Sequence, residues 1–192
     1  MKKTKDKETS KLKVLIIEDN PLHLHTAKRF AEESGHEVTV VSTLKEAQEA
    51  LRATFDGFFP EKERKMYDVV LTDLYLKTSI FGIGHNLIDG LPKETPYGFI
   101  IALFALMVGV KNIGVLTDAD RHKDALVRGA HMIRAYKSTA IGNANFIFSE
   151  SCTYLQRDTY SKGEKTLAAG DDRIGGKAWE YIFNLLIKNK LL

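Results

Sequence analysis

Three short runs of the chain end the same way. KVLIIED (13–19), DVVLTD (68–73) and NIGVLTD (112–118) each pass through β-branched side chains and stop at a carboxylate. Continuous apolar runs of this length suit strands buried on both faces. Between them the periodicity changes to that of helices. PLHLHTAKRFAEES places Leu24, Ala27, Phe30 and Ala31 on one stripe, with Asn20 as cap, Pro21 in the first position and Gly35 as the stop. HEVTVVS reads as the second strand, and Thr43 with Glu46 forms a capping box for LKEAQEALRATF. PYGFIIALFALMVG, ADRHKDALVRG and KAWEYIFNLLIKNK read as the later helices, and HMIRAY (131–136) as the fifth strand. Strands alternating with helices predict a doubly wound α/β domain, its five-stranded parallel sheet covered on both faces and joined by right-handed crossovers.

With 192 residues, 44% of them hydrophobic, the chain suffices for one well-cored domain, placed at residues 13–192. Two connections exceed what such a domain needs, about 77–95 after the third strand and 138–176 after the fifth. In the second, NANFIFSESCTYL and TYSKGEKTL read as the two arms of a hairpin beside the site.

The net charge of +3 is unevenly spread. MKKTKDKETSKLK carries six lysines against Asp6 and Glu8, a balance of +4, so the remainder sums to −1. Residues 1–12 read as a disordered, solubilising basic tail, with no basic helix or interleaved aromatics to suggest nucleic-acid binding. The longest apolar stretch, Phe99 to Val110, is too short to cross a bilayer, and the first thirteen residues lack a signal-peptide core. A single cysteine, Cys152, excludes an intrachain disulfide and reads as a structural thiol of a cytoplasmic protein.

In open parallel sheets ligands bind beyond the carboxyl ends of the strands. Those ends carry Glu18 and Asp19, Asp73 and Thr117, and the fifth run leads to Lys137. Strand order 2-1-3-4-5 would bring the three carboxylates to one point. Clustered carboxylates repel unless one is protonated or a cation binds, and an all-oxygen site favours Mg²⁺. Asp73 would then serve as a carboxylate nucleophile toward phosphorus, with Thr117 and Lys137 on the phosphoryl oxygens.

KVLIIEDN, Asp73 in VVLTDL, Thr117 in VLTD and Lys137 in AYK together resemble the receiver domain of two-component response regulators, in order over residues 13–137. The resemblance implies a flavodoxin-like fold and a phosphoacceptor Asp73 that takes its phosphoryl group from a histidine kinase or phosphotransfer protein. It also implies Mg²⁺ on Asp19, Asp73 and the backbone carbonyl of Tyr75, with Glu18 acting through water. Family members usually have a small residue where this chain has Asp118, proline where it has Ser138, and a switch aromatic where it has Arg134, Tyr136 being the nearest ring. Gly98 in TPYG looks like the family's glycine opening the third helix.

The residues after the fifth run leave too little chain for a separate DNA-binding domain. The expected output is therefore contact with a downstream protein, or pairing into a homodimer. Two rivals stand beside this reading: a phosphorylation-independent pseudo-receiver that binds proteins, and a Mg²⁺-dependent phosphatase. The second suffers because Tyr75 occupies the place where its acid/base carboxylate would stand. GIGHN (82–86) lacks the third glycine of a phosphate loop, and His23 and His25 read as surface residues.

Overall fold

The computed structural model describes residues 11–51, 53–54, 57–58, 67–77, 87–88, 91–92, 94–119, 122–132, 139–150, 177 and 179–188. The basic tail up to residue 10, GIGHN, Arg134, Tyr136, Lys137, Ser138, Cys152 and TYSKGEKTL lie outside them. The main sheet contains β1 (Lys13–Ile17), β2 (Glu37–Val41), β3 (Val69–Asp73), β4 (Asn112–Thr117), β5 (Thr139–Ile141) and β6 (Ala144–Glu150). The helices are α1 (Pro21–Glu33), α2 (Leu44–Leu51), α3 (Tyr97–Met107), α4 (Ala125–Met132) and α5 (Trp179–Lys188).

Across the sheet the strands lie in the order β2, β1, β3, β4, β6, β5. All neighbours are parallel except the β5–β6 hairpin at one edge. The first four strands thus stand in the expected sequence, but the sheet has six strands, not five. The position beside β4 belongs to Ala144–Glu150, not to HMIRAY. His131 and Met132 end α4, whose buried Val127 and Ala130 carry a helical spacing up to this point. The hairpin partner of β6 is the preceding Thr139–Ile141 rather than the later TYSKGEKTL.

Period-two alternation divides the core into two layers. Leu15, Ile17, Val70, Ile113, Val115 and Phe148 meet α2, α3 and α4 on one face. Val14, Ile16, Val69, Leu71, Leu116 and Ile147 meet α1 and α5 on the other. The α5 residues Trp179, Ile182, Phe183 and Leu186 recur at helical spacing and are all buried against that second face. Gly114 in β4 lets α5 come close, since a Cβ there would stand 2.9 Å from both Ile182 Cγ2 and Leu71 Cδ2.

Local signals behave as the sequence suggests. The Glu46 amide donates to Thr43 Oγ1 and the Thr43 amide to Glu46 Oε2, both at 3.1 Å, closing the capping box of α2. After α1, Gly35 adopts φ +68°, a left-handed conformation that a side chain would resist. No described helix is long and apolar enough to cross a membrane.

The start of α3 is clamped on the end of β3. The Gly98 amide donates to the Leu74 carbonyl at 3.0 Å, and the Leu74 amide donates to Leu116 O at 2.7 Å. A Cβ on Gly98 would lie 2.0 Å from the Asp73 carbonyl oxygen, far inside contact distance. Gly98→Ala should therefore destabilise the fold by on the order of 1–3 kcal/mol or more, as overpacking against backbone does. Chemical denaturation measures this directly, and an unchanged midpoint would contradict the clamp.

Candidate functional site: a buried lysine between two carboxylates

Register and alternation bring the acidic side chains together. β1 and β3 pair from Val14↔Val69 to Ile17↔Thr72, so one further step sets Glu18 opposite Asp73. Continuing the alternation puts both on the α1/α5 side of the sheet, below Val14 and Ile16 in one strand and Val69 and Leu71 in the other. Asp19 follows at the same rim, and one oxygen from each of Glu18, Asp19 and Asp73 falls within 4.8 Å of the others. Thr117 ends β4 one position beyond Leu116, the partner of Asp73. It is fully buried, and its Oγ1 accepts the Ala119 amide at 3.1 Å.

The ammonium group comes from a residue that sequence reasoning missed. Lys177 stands just ahead of α5, its carbonyl accepting the Trp179 amide at 3.0 Å. Its Nζ donates to Glu18 Oε2 at 2.8 Å and lies 2.7 Å from Asp73 Oδ1. The contact with Glu18 is a directed hydrogen bond. That with Asp73 Oδ1 is a close ion pair. Side-chain exposure is 0% for Lys177 and Glu18 and 6% for Asp73. The other Glu18 oxygen, Oε1, accepts the Asn20 amide at 2.9 Å. Lys137, expected to provide the ammonium, is outside the described residues. Lys177 had one legible signal: it immediately precedes the amphipathic helix that covers the same sheet face as Glu18 and Asp73.

Burial sets the electrostatics. Desolvation pushes the Asp73 carboxyl up to about 7, and the nearby Glu18 charge adds to this, while the Lys177 ammonium works against it. For Lys177 burial alone would favour the neutral amine, but the carboxylates of Asp73 and Glu18 outweigh it and hold the ammonium charged. Both remedies for clustered carboxylates are thus present, a resident cation and one carboxyl inclined to keep its proton. Among the described residues, with every group ionised, the carboxylates of Glu18, Asp19 and Asp73 against the Lys177 ammonium leave a formal charge of −2. An all-oxygen donor set with that balance fits a hard divalent cation.

Two neighbours complete the rim. Asp118 accepts from or pairs with His23, Nε2 to Oδ2 at 3.1 Å, and this hydrogen bond is the main reason its carboxyl falls to about 2. His23 is buried, contrary to the surface position expected of it, whereas His25 is exposed. The Trp179 indole N–H donates to the His23 carbonyl at 3.3 Å, tying the start of α5 to α1. On the other side, the Tyr75 phenol donates to Asp124 Oδ2.

No protein-family model matches the chain, and no curated protein does. Among solved structures it is similar to a response regulator receiver domain protein (CheY-like) from Methanospirillum hungatei JF-1. That match has 17% identity and a TM-score of 0.41, over 80% of this chain and 90% of the other. It is also similar to a chain in which the trimeric coiled coil of yeast Spc42, amino acids 181–211, is fused to another structure. There the identity is 19% and the TM-score 0.38, over 72% of this chain and 68% of that one.

The raised Asp73 value fixes the sign of a pH effect. The folded chain binds this proton more tightly than the unfolded chain, whose aspartates titrate near 3.9. Stability should therefore fall as pH rises from about 4 through 7. In buffer free of divalent ions, Asp73→Asn should melt higher than the parent chain at pH 8, and the gain should shrink towards pH 5. A variant that gains equally at both pH values would contradict the desolvated carboxyl. Lys177→Met leaves two buried carboxylates without their cation and should cost on the order of 3–5 kcal/mol at pH 8 by chemical denaturation.

Proposed function

We propose that the chain is a receiver-like signalling domain of flavodoxin-like topology, in which Asp73 accepts a phosphoryl group with the help of Mg²⁺. The observation that carries this reading is the Lys177 ammonium 2.7 Å from Asp73 Oδ1, at a strand end that also gathers Glu18 and Asp19. A lysine there can follow the oxygens of a group attached to Asp73, and Thr117 stands at the neighbouring strand end to donate a hydroxyl.

Asp19, Asp73 and the Tyr75 carbonyl would hold the ion, and Glu18 would act through water because both of its oxygens are already engaged. When bound, Mg²⁺ supplies charge neutralisation for the phosphoryl oxygens. In the transfer itself an Asp73 oxygen forms the new bond to phosphorus as the bond to the donor's imidazole nitrogen breaks, and the imidazole leaves. A histidine kinase or phosphotransfer protein is the donor in this reading. The output is a change of surface read by a partner protein, and the protein works in the cytoplasm.

One observation favours a second reading. The Asp73 side chain is 6% exposed and already ion-paired, as suits a pseudo-receiver that binds partners without phosphorylation. The two readings separate on one experiment. With Mg²⁺, acetyl phosphate should label the chain and beryllofluoride should bind it, both at Asp73, and Asp73→Asn should abolish both by mass spectrometry and ¹⁹F NMR. Absence of adduct at millimolar Mg²⁺ would favour the pseudo-receiver. Repeated turnover of a phosphate ester would favour the phosphatase.

A further inference from the structure

Asp124 does more at the start of α4 than a cap requires. Its Oδ1 accepts the Leu126 and Val127 amides at 2.8 and 3.0 Å, which satisfies two of the orphan donors of the first turn. One oxygen suffices for that, and asparagine or serine would serve equally. The second oxygen, Oδ2, takes the hydroxyl of Tyr75, a residue 49 positions earlier in the chain. Tyr75 follows Asp73 by two residues, in the loop whose carbonyl is assigned to the ion above. Its neighbours are fixed on either side. Leu74 is bonded to Leu116 and Gly98, and Leu76 pairs with Thr95 in a short antiparallel ladder. The Tyr75 side chain is half-buried against the α2–α4 layer and ends on Asp124.

We infer that Asp124 is a positioning residue for the cation site, holding through the Tyr75 phenol the loop that carries Asp73 and the Tyr75 carbonyl, and so coupling ion binding to the first turn of α4. The inference rests on the proposed reading of the site. Coupling of this kind is reciprocal. If the latch helps the loop to bind the ion, the ion must steady the latch, and with it the amides that Asp124 caps. The exposed Leu126 beside that cap would then present the state of Asp73 to a partner. Tyr75 and Asp124 thus span the gap from β3 to α4.

Two variants break the latch while sparing the cap. Tyr75→Phe removes only the hydroxyl. Asp124→Ser keeps a capping oxygen but removes the second carboxylate oxygen that takes the phenol, and comparison with Tyr75→Phe separates latch loss from charge loss. Mg²⁺ titrations, followed by fluorescence of Trp179, the chain's single tryptophan, whose ring lies 5.9 Å from Lys177 Nζ, should give roughly three- to tenfold weaker binding for each variant. The double variant should be no weaker than the singles, as expected for partners in one interaction. Hydrogen exchange at the Leu126 and Val127 amides should slow with Mg²⁺ in the parent chain and not in either variant. Equal Mg²⁺ affinity in the parent and both variants, with the same slowing at α4, would overturn the inference and leave the site's assignment standing. A parent chain that takes up no Mg²⁺ would overturn the assignment, and the inference with it.

Discussion

The Lys177 ammonium between Glu18 and Asp73 is the contact on which the rest of the site depends. Two carboxylates on adjacent strands, each almost wholly removed from water, cannot both stay ionised without a cation. Lys177 supplies one from inside the fold, and its place just ahead of α5 makes the docking of that helix a condition of the site's charge balance. The helix is held in turn by apolar burial on the second sheet face, by the narrow space over Gly114 and by the Trp179 indole bond to α1. Packing and electrostatics are thus two aspects of one arrangement.

That arrangement is a poor investment if stability were the only outcome. Buried ion pairs seldom exceed well-packed apolar residues in stabilising effect, and the desolvated Asp73 carboxyl weakens the fold above neutral pH. Perturbed groups of this kind gather where chemistry is done. A second cation binding beside Lys177 would relieve the remaining negative charge, and a phosphoryl group on Asp73 would bring oxygens to the same ammonium. The loop after Asp73, pinned to Gly98, Leu116 and Asp124, is where either event would be felt mechanically.

Much of this was legible in the sequence. The runs at β1, β3 and β4 and their terminal Glu18, Asp19, Asp73 and Thr117 follow from β-branched patterning and from the tendency of parallel sheets to bind ligands at strand carboxyl ends. The capping box at Thr43 and the stop at Gly35 are local signals that tertiary context left intact. The fifth strand was misplaced because HMIRAY is short and partly apolar and could pass for either periodicity. The helical spacing of Val127 and Ala130 in fact runs into it, and the partly alternating NFIFS carries the strand. That displacement concealed Lys177. A lysine separated from its strand by a long excursion keeps no strand-end signature, and only the sheet face of the following helix points to it. The burial of His23 was likewise hidden, because its partner Asp118 lies 95 residues away.

The side-chain ammonium of Lys177 offers the most direct test. Exposed lysine ammonium groups exchange with water too quickly to be seen near neutral pH, whereas a buried, hydrogen-bonded one is protected. A ¹H–¹⁵N spectrum of the full chain at pH 7 should show a protected ammonium signal that Lys177→Met removes and Asp73→Asn shifts. If no protected signal appears, or if the protected signal belongs to another lysine such as Lys137, the site is not built as described.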